Sequence, residues 1–277
     1  MSETHRRHPT PAFVVGCLFA CRSPPVPADA AAPPVSASAV PVEDAAPPVP
    51  AAPPAGLRCL VEHLDARLDG DALVVGRDRF VWDDGTRKTT AERIAAPDLE
   101  DMFALGYPTG PITPVLDESQ DPGRIRHEGL FRAVYGEDAA SVSRALVKVP
   151  FAGHTVLFHR RGAAALARVS AKLELLLPTP ALERLGGTFA TRAIAGTDRT
   201  SAHAWGIAID IDPRVSDYWR NMPGKPVWKN RVPPAIVEAF ESEGFVWGGR
   251  WFHYDTMHFE YRPELLDARC RTAPQDR

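Results

Sequence analysis

The sequence predicts an α+β domain: a small, mostly antiparallel sheet with flanking helices and a metal site at the sheet cleft. Three observations carry this. Apolar residues recur at helical spacing over 161–176 and 234–243. Short alternating or β-branched runs lie between and after those stretches. Two of the runs carry histidines and carboxylates at their ends, as strands edging a cleft do.

The chain has 277 residues, of which 44% are hydrophobic and 24% charged, so most of it can bury a core. Net charge is −3 and no Lys/Arg-rich run stands out, so no nucleic-acid partner is expected. Residues 1–21 read as a targeting segment, with Arg6 and Arg7 ahead of a short apolar run over 11–20. Cys21 after Leu18-Phe19-Ala20 resembles the lipid-modified position of a bacterial lipoprotein signal, and Val14-Val15-Gly16-Cys17 is a second local match. The run is too short for a transmembrane helix. The expectation is export across the inner membrane and a periplasmic or lipid-anchored location in the cell envelope. Residues 22–56 are dominated by Pro and Ala and read as a disordered tether, because they offer little apolar surface to offset the entropy of ordering.

Residues 57–144 form an N-terminal elaboration with no catalytic constellation. Within it 72–75 and 79–82 read as strands, Asp84-Gly85 as a turn, and 98–107 and 128–135 as helices. The working domain spans 145–270, followed by a tail at 271–277. It opens with a hairpin, 146–149 and 155–158 around Gly153. The helix over 161–176 places Leu166, Val169, Leu173 and Leu176 on one stripe, and Pro178 stops it. The second helix, 234–243, turns Ile236, Val237 and Phe240 inward and ends at Gly244. Segments 188–192, 207–212, 245–247 and 257–261 read as strands. Cys59 and Cys270 flank the folded part, and a disulfide between them suits an oxidising compartment.

The chemistry sits in Ser201-Ala202-His203-Ala204-Trp205-Gly206-Ile207-Ala208-Ile209-Asp210 and in Asp255-Thr256-Met257-His258. In a strand over 207–212 the isoleucines share the core face, while Ala208, Asp210 and Asp212 face a cleft or solvent. A turn at Gly206 folds His203 back over that carboxylate face. His258 adds a second imidazole. Two nitrogens, one oxygen and a place for water make a catalytic zinc site. His253 rivals His258 and Asp212 rivals Asp210 as ligands, or either serves as a partner behind a ligand. Asp255 is placed to take a proton from the attacking water.

The segments 201–210 and Trp-Gly-Gly-Arg-Trp-Phe-His-Tyr-Asp-Thr-Met-His-Phe-Glu at 247–260 resemble the zinc D-alanyl-D-alanine carboxypeptidase family. That family includes vancomycin-resistance D,D-peptidases and the L-alanyl-D-glutamate endopeptidases of phage endolysins. The resemblance covers 146–266, and more weakly the chain from 97. It implies Zn2+ on His203, Asp210 and His258, and Asp255 as general base. Asp rather than Glu at 255 resembles the endopeptidase branch. The resemblance also implies a substrate- or oxyanion-binding role for Arg192 and an orienting role for Ser201. Trp251 and Trp247 are candidates for the cleft wall, or for the core. The expected substrate is a peptidoglycan stem peptide. The alternatives are a D-alanyl-D-alanine carboxypeptidase, or a non-catalytic zinc-bearing cell-wall-binding module.

Overall fold

The computed structural model describes residues 52–270, all within one compact unit. The expected targeting segment, the expected tether up to residue 51 and the tail lie outside the described residues; the last two residues of that tether, Ala55 and Gly56, instead begin a helix, with Gly56 buried. The chain runs α1 (Ala55–Leu64), β1 (Arg67–Asp69), β2 (Ala72–Val75), β3 (Asp78–Val81), α2 (Thr90–Ala95), α3 (Glu128–Tyr135) and α4 (Ala139–Ala145). It continues through β4 (Leu146–Phe151), β5 (His154–His159), α5 (Arg160–Leu173), β6 (Ala208–Asp210), α6 (Pro234–Glu241), β7 (Phe245–Trp247), β8 (His258–Tyr261) and α7 (Pro263–Leu266). The class is α+β, with three small antiparallel sheets: β1-β2-β3, the β4-β5 hairpin, and β6-β8-β7.

The third sheet positions the site. Opposed residues of an antiparallel pair share a face. Asp210 opposes His258, and Ala208 opposes Glu260, so these four side chains share one face. Ile209, Phe259 and Trp247 share the other, all fully buried. That apolar face packs with α5 and α6, where Leu166, Val169, Leu173, Ile236 and Phe240 are sealed. Phe240 stacks on Phe259 at 3.9 Å between ring centroids. A second core, of α1, β2, α3 and residues around 202–208, receives Ile207 and Ala208. β6 is therefore clamped between two cores, and Ala208 faces the second of them rather than a cleft or solvent. The Cys59–Cys270 disulfide ties α1 to the last described turn.

Four local expectations are corrected. Residues 98–107 hold only a 3-10 turn at Glu100–Phe103, because Asp98 and Asp101 exchange bonds with each other's backbone amides instead of continuing a helix. The stripe on α5 ends at Leu173; Glu174–Leu176 is a 3-10 turn that leaves Leu176 37% exposed. Residues 188–192 form no strand. Only Gly187 bridges to Asp210, and the chain then leaves in a tight loop closed by Ala193 against Thr200. Finally, the strand expected over 207–212 stops at Asp210. Asp212 is sealed, its carboxylate engaged by Arg214 and by the Arg214 amide.

Candidate metal centre

His203 lies in a 3-10 turn, Ala202–Trp205, that ends at Gly206 in the left-handed region (φ 65°). A β-carbon at Gly206 would also meet Leu146 at 2.5 Å, so the reversal that aims His203 at β6 requires glycine. His203 Nδ1 lies 2.7 Å from the Thr188 carbonyl oxygen. A carbonyl only accepts, so Nδ1 carries the proton and Nε2 keeps a free lone pair. Nε2 lies 3.1 Å from Asp210 Oδ1 and 3.2 Å from His258 Nδ1, and that Nδ1 lies 3.1 Å from the same Asp210 oxygen. Ligand bonds of about 2.0–2.2 Å in a tetrahedron put ligand atoms roughly 3.3–3.6 Å apart. The triangle is nearly that size, so the donor set fits a small cation such as zinc with little adjustment.

Electrostatics agree with the geometry. Burial works to raise the Asp210 carboxyl, but hydrogen bonds and charge from His203 and His258 hold it well below the usual carboxylate range. Burial disfavours charge on His258, yet Asp210 and Glu260 outweigh it and raise the imidazole to about 9. A site that keeps a proton on a buried imidazole also attracts a metal cation, and the two compete.

Asp255 stands beside the triangle. Gly248 holds its loop: the Asp255 amide donates to the Gly248 carbonyl at 3.0 Å, and a β-carbon on Gly248 would lie 2.5 Å from the Asp255 carbonyl oxygen. Asp255 Oδ1 is sealed from solvent and has no hydrogen-bond partner. Burial, with the charge of Asp210, pushes its carboxyl up to about 6. An unpartnered buried carboxylate oxygen is costly. It is explained where a water or metal-associated group belongs next to it.

The other expected residues fall as follows. Arg192 is exposed on the loop after Gly187, and its positive charge acts on Asp255. Ser201 is 5% exposed, and its amide donates to the Arg192 carbonyl. Trp251 is 5% exposed, with its ring 5.7 Å from that of His258 and its indole N–H donating to the Pro122 carbonyl at 2.6 Å. Trp247 belongs to the core. His253 bonds Asp121 at 2.7 Å and Asp212 pairs with Arg214, so neither rival reaches the triangle.

Sequence reasoning missed the support behind His258. Its Nε2 faces Glu260 at 3.6 Å. Glu260 is sealed, and Arg126 engages both its oxygens from the segment ahead of α3. Burial works to raise the Glu260 carboxyl, but Arg126 foremost holds it far below the ordinary value. The same N-terminal region contributes the Pro122 carbonyl to Trp251, the Gly123 carbonyl to Arg262 and Asp121 to His253. The His-Phe-Glu triplet at 258–260 carried a signal for Glu260, since a residue two on from His258 in a strand shares its face. Nothing local pointed to Arg126.

Among the described residues, two further groups have metal-ligand spacing. Cys59, Asp267 and Cys270 form one, but its sulfurs are joined to each other. Asp83, Asp84 and Asp98 form the other, and Lys88 already holds Asp84 and Asp98 at 2.9 and 3.0 Å.

A family model described as D-alanyl-D-alanine carboxypeptidase matches residues 195–261. The matched segment contains His203, Asp210, Asp255, His258 and Glu260, and stops short of Arg192. It supports a peptidase at the level of that family. No curated protein and no solved structure matches the chain.

Proposed function

We propose that this protein is a zinc peptidase that cleaves peptidoglycan stem peptides, as an endopeptidase at an L-alanyl-D-glutamate-type bond. The observation that carries the peptidase reading is the unpartnered Asp255 oxygen beside a His-Asp-His triangle of zinc-ligand size. His203 Nε2, Asp210 Oδ1 and His258 Nδ1 would hold the ion. Bound there, zinc supplies Lewis acidity toward the scissile carbonyl and acidifies water. Asp255 takes the proton of the attacking water and returns it to the leaving amine, a task suited to a carboxyl raised to about 6. Arg192 offers a guanidinium to a substrate carboxylate or to the developing oxyanion. A binding module has no use for a buried base, which weighs against the non-catalytic alternative.

The choice of endopeptidase rests on aspartate at 255, which resembles that branch. The description of the matching family favours release of terminal D-alanine instead. Mass spectrometry of defined muropeptides after digestion separates the two. The expected product is a cut inside the stem; free D-alanine as the sole product overturns the endopeptidase reading.

We also propose that the protein works in the cell envelope, anchored through Cys21 or Cys17 with 22–54 as its tether. The Cys59–Cys270 disulfide supports an oxidising compartment. Labelling cells with a fatty-acid analogue, comparing the chain with Cys17→Ala and Cys21→Ala variants, tests the anchor. Label retained in the double variant overturns it.

A further inference from the structure

Three guanidinium groups converge next to the site. Arg124 and Arg126 come from the segment ahead of α3, and Arg199 comes from the loop that also carries Arg192. Arg126 Nη1 and Arg199 Nη2 donate to one acceptor, the Arg124 carbonyl oxygen, at 3.4 and 3.3 Å. The Arg124 guanidinium lies over the Trp251 ring at 5.6 Å, and that ring neighbours His258.

Their counter-charges are unevenly shared. Asp121 engages Arg124 and Glu260 engages Arg126. Arg199 has no carboxylate within 4.0 Å among the described residues. Glu128, the nearby acid, has its oxygens on the Thr200 amide, the Thr200 hydroxyl and Arg132. Arg199 is half-buried, so its charge is partly stripped of water yet open to a ligand. Burial first, then the like charges of Arg126 and Arg124, lower its pKa to about 10. A guanidinium held this way stores an unmet demand for an anion. Its planar fork matches a carboxylate.

We propose that Arg199, with Arg124 alongside, is a carboxylate-binding subsite for the peptide substrate, separate from Arg192. This rests on the peptidase reading above for the identity of its ligand, but not for the existence of the site. A peptide with a free carboxylate near the scissile bond is the class of substrate it selects.

Two measurements test it. In the first, the zinc-loaded full chain is given two peptides that differ only in a free carboxylate or a carboxamide beside the scissile bond. The expected KM is about 10-fold lower for the acid, as a charge-assisted bond provides. Arg199→Gln raises KM for the acid about 10-fold, leaves the amide unchanged and leaves kcat for both nearly unchanged. Equal losses on both peptides, or none, overturn the proposal. In the second, thermal unfolding is followed with N-acetyl-D-alanine or its amide. The acid stabilises wild type, the amide does not, and Arg199→Gln loses the response while unfolding no earlier than wild type in buffer. A response that survives Arg199→Gln assigns the anion to another residue and overturns the proposal. So does a wild type that ignores the acid. If wild type responds to the acid but cleaves neither peptide, the subsite stands and the peptidase reading falls.

Discussion

Around Lys88 three carboxylates close on one ammonium, with Asp84, Asp98 and Asp101 at 2.9, 3.0 and 2.9 Å. At β6 and β8 the arrangement is inverted: one carboxylate, Asp210, meets two imidazoles at 3.1 Å each, and among the described residues no lysine or arginine pairs with it. Both are clusters of metal-ligating groups, the second buried and the first buried except at Asp84, whose side chain is 46% exposed. They differ in whether the fold supplies the cation. Lys88 lies only 8% exposed, and despite the opposing effect of burial its partners raise it well above its ordinary pKa. The first cluster is complete as folded. The second pulls on His258 until it holds a proton that an imidazole of ordinary pKa would have lost. Spacing of donors alone does not separate a metal site from a salt-bridge network; the presence of an internal cation does.

The largest expected effect breaks the comparison on the metal side. His203→Ala and His258→Ala each leave two ligands, and are expected to lose both bound zinc and hydrolysis. Stoichiometric zinc in either variant, read by atomic emission, removes the triangle as the metal site. Asp255→Ala comes next. It keeps zinc but loses hydrolysis by roughly 10²–10⁴-fold, the range of general acid–base catalysis. Removing a buried, unpartnered carboxylate should not lower its unfolding temperature. An unchanged rate ends the assignment of Asp255 as base.

On the other side, Lys88→Met leaves three carboxylates without their shared cation. The expected loss is about 3–5 kcal/mol in urea unfolding, the cost of stripping one partner from a buried ionic cluster, with zinc content per folded molecule unchanged. A loss under about 1 kcal/mol would mean that the cluster is solvated like a surface pair. Arg126→Met sharpens the contrast from behind the metal site. With Glu260 unpaired, His258 is less firmly oriented, and zinc affinity is expected to fall about 10–100-fold in chelator competition. Unchanged affinity would leave Arg126 a purely structural residue.

How much of this was legible depends on how far the partners lie apart in the chain. The strands bearing Asp210 and His258 announced themselves through Ile-Ala-Ile-Asp-Ile-Asp and Met-His-Phe-Glu-Tyr, because alternation is a local signal. Gly206 marked the reversal that brings His203 back. Helices with a regular stripe, such as α5 and α6, read correctly to within a few residues. Residues 188–192 read as a strand from composition, yet the bridge to β6 is made by Gly187, just ahead of them; pairing is a property of the neighbour, not of the segment. The N-terminal region stayed mute because its contribution is made of pairs such as Arg126 with Glu260 and Tyr107 with Glu241, each 134 residues apart. Arginine before a helix looks like any surface arginine until the fold closes over it.

The last expected effect is a pH dependence that only the metal-free site should show. His258 has an ordinary pKa of 6.5 and is raised to about 9 in the folded chain. The folded state therefore binds more protons than the unfolded one across that interval. Its contribution to stability is complete below 6.5 and is lost as pH rises through about 9. Asp255, raised from 3.8 to about 6, has the same sign in a lower window. His159, lowered by burial from 6.5 to about 4, and His127, also lowered by burial, have the opposite sign, and their contribution levels off once the unfolded imidazoles have lost their protons just above 6.5. Lys88 does not titrate there, since its partners move it upward. The urea midpoint of the metal-free protein should thus fall between pH 6.5 and 9, and His258→Gln should flatten that fall. Zinc should reverse it, because the ion displaces the His258 proton and binds more tightly as protons become scarce. A fall that persists in His258→Gln would place the titrating group elsewhere and dissolve the contrast between a cluster that carries its own cation and one that waits for it.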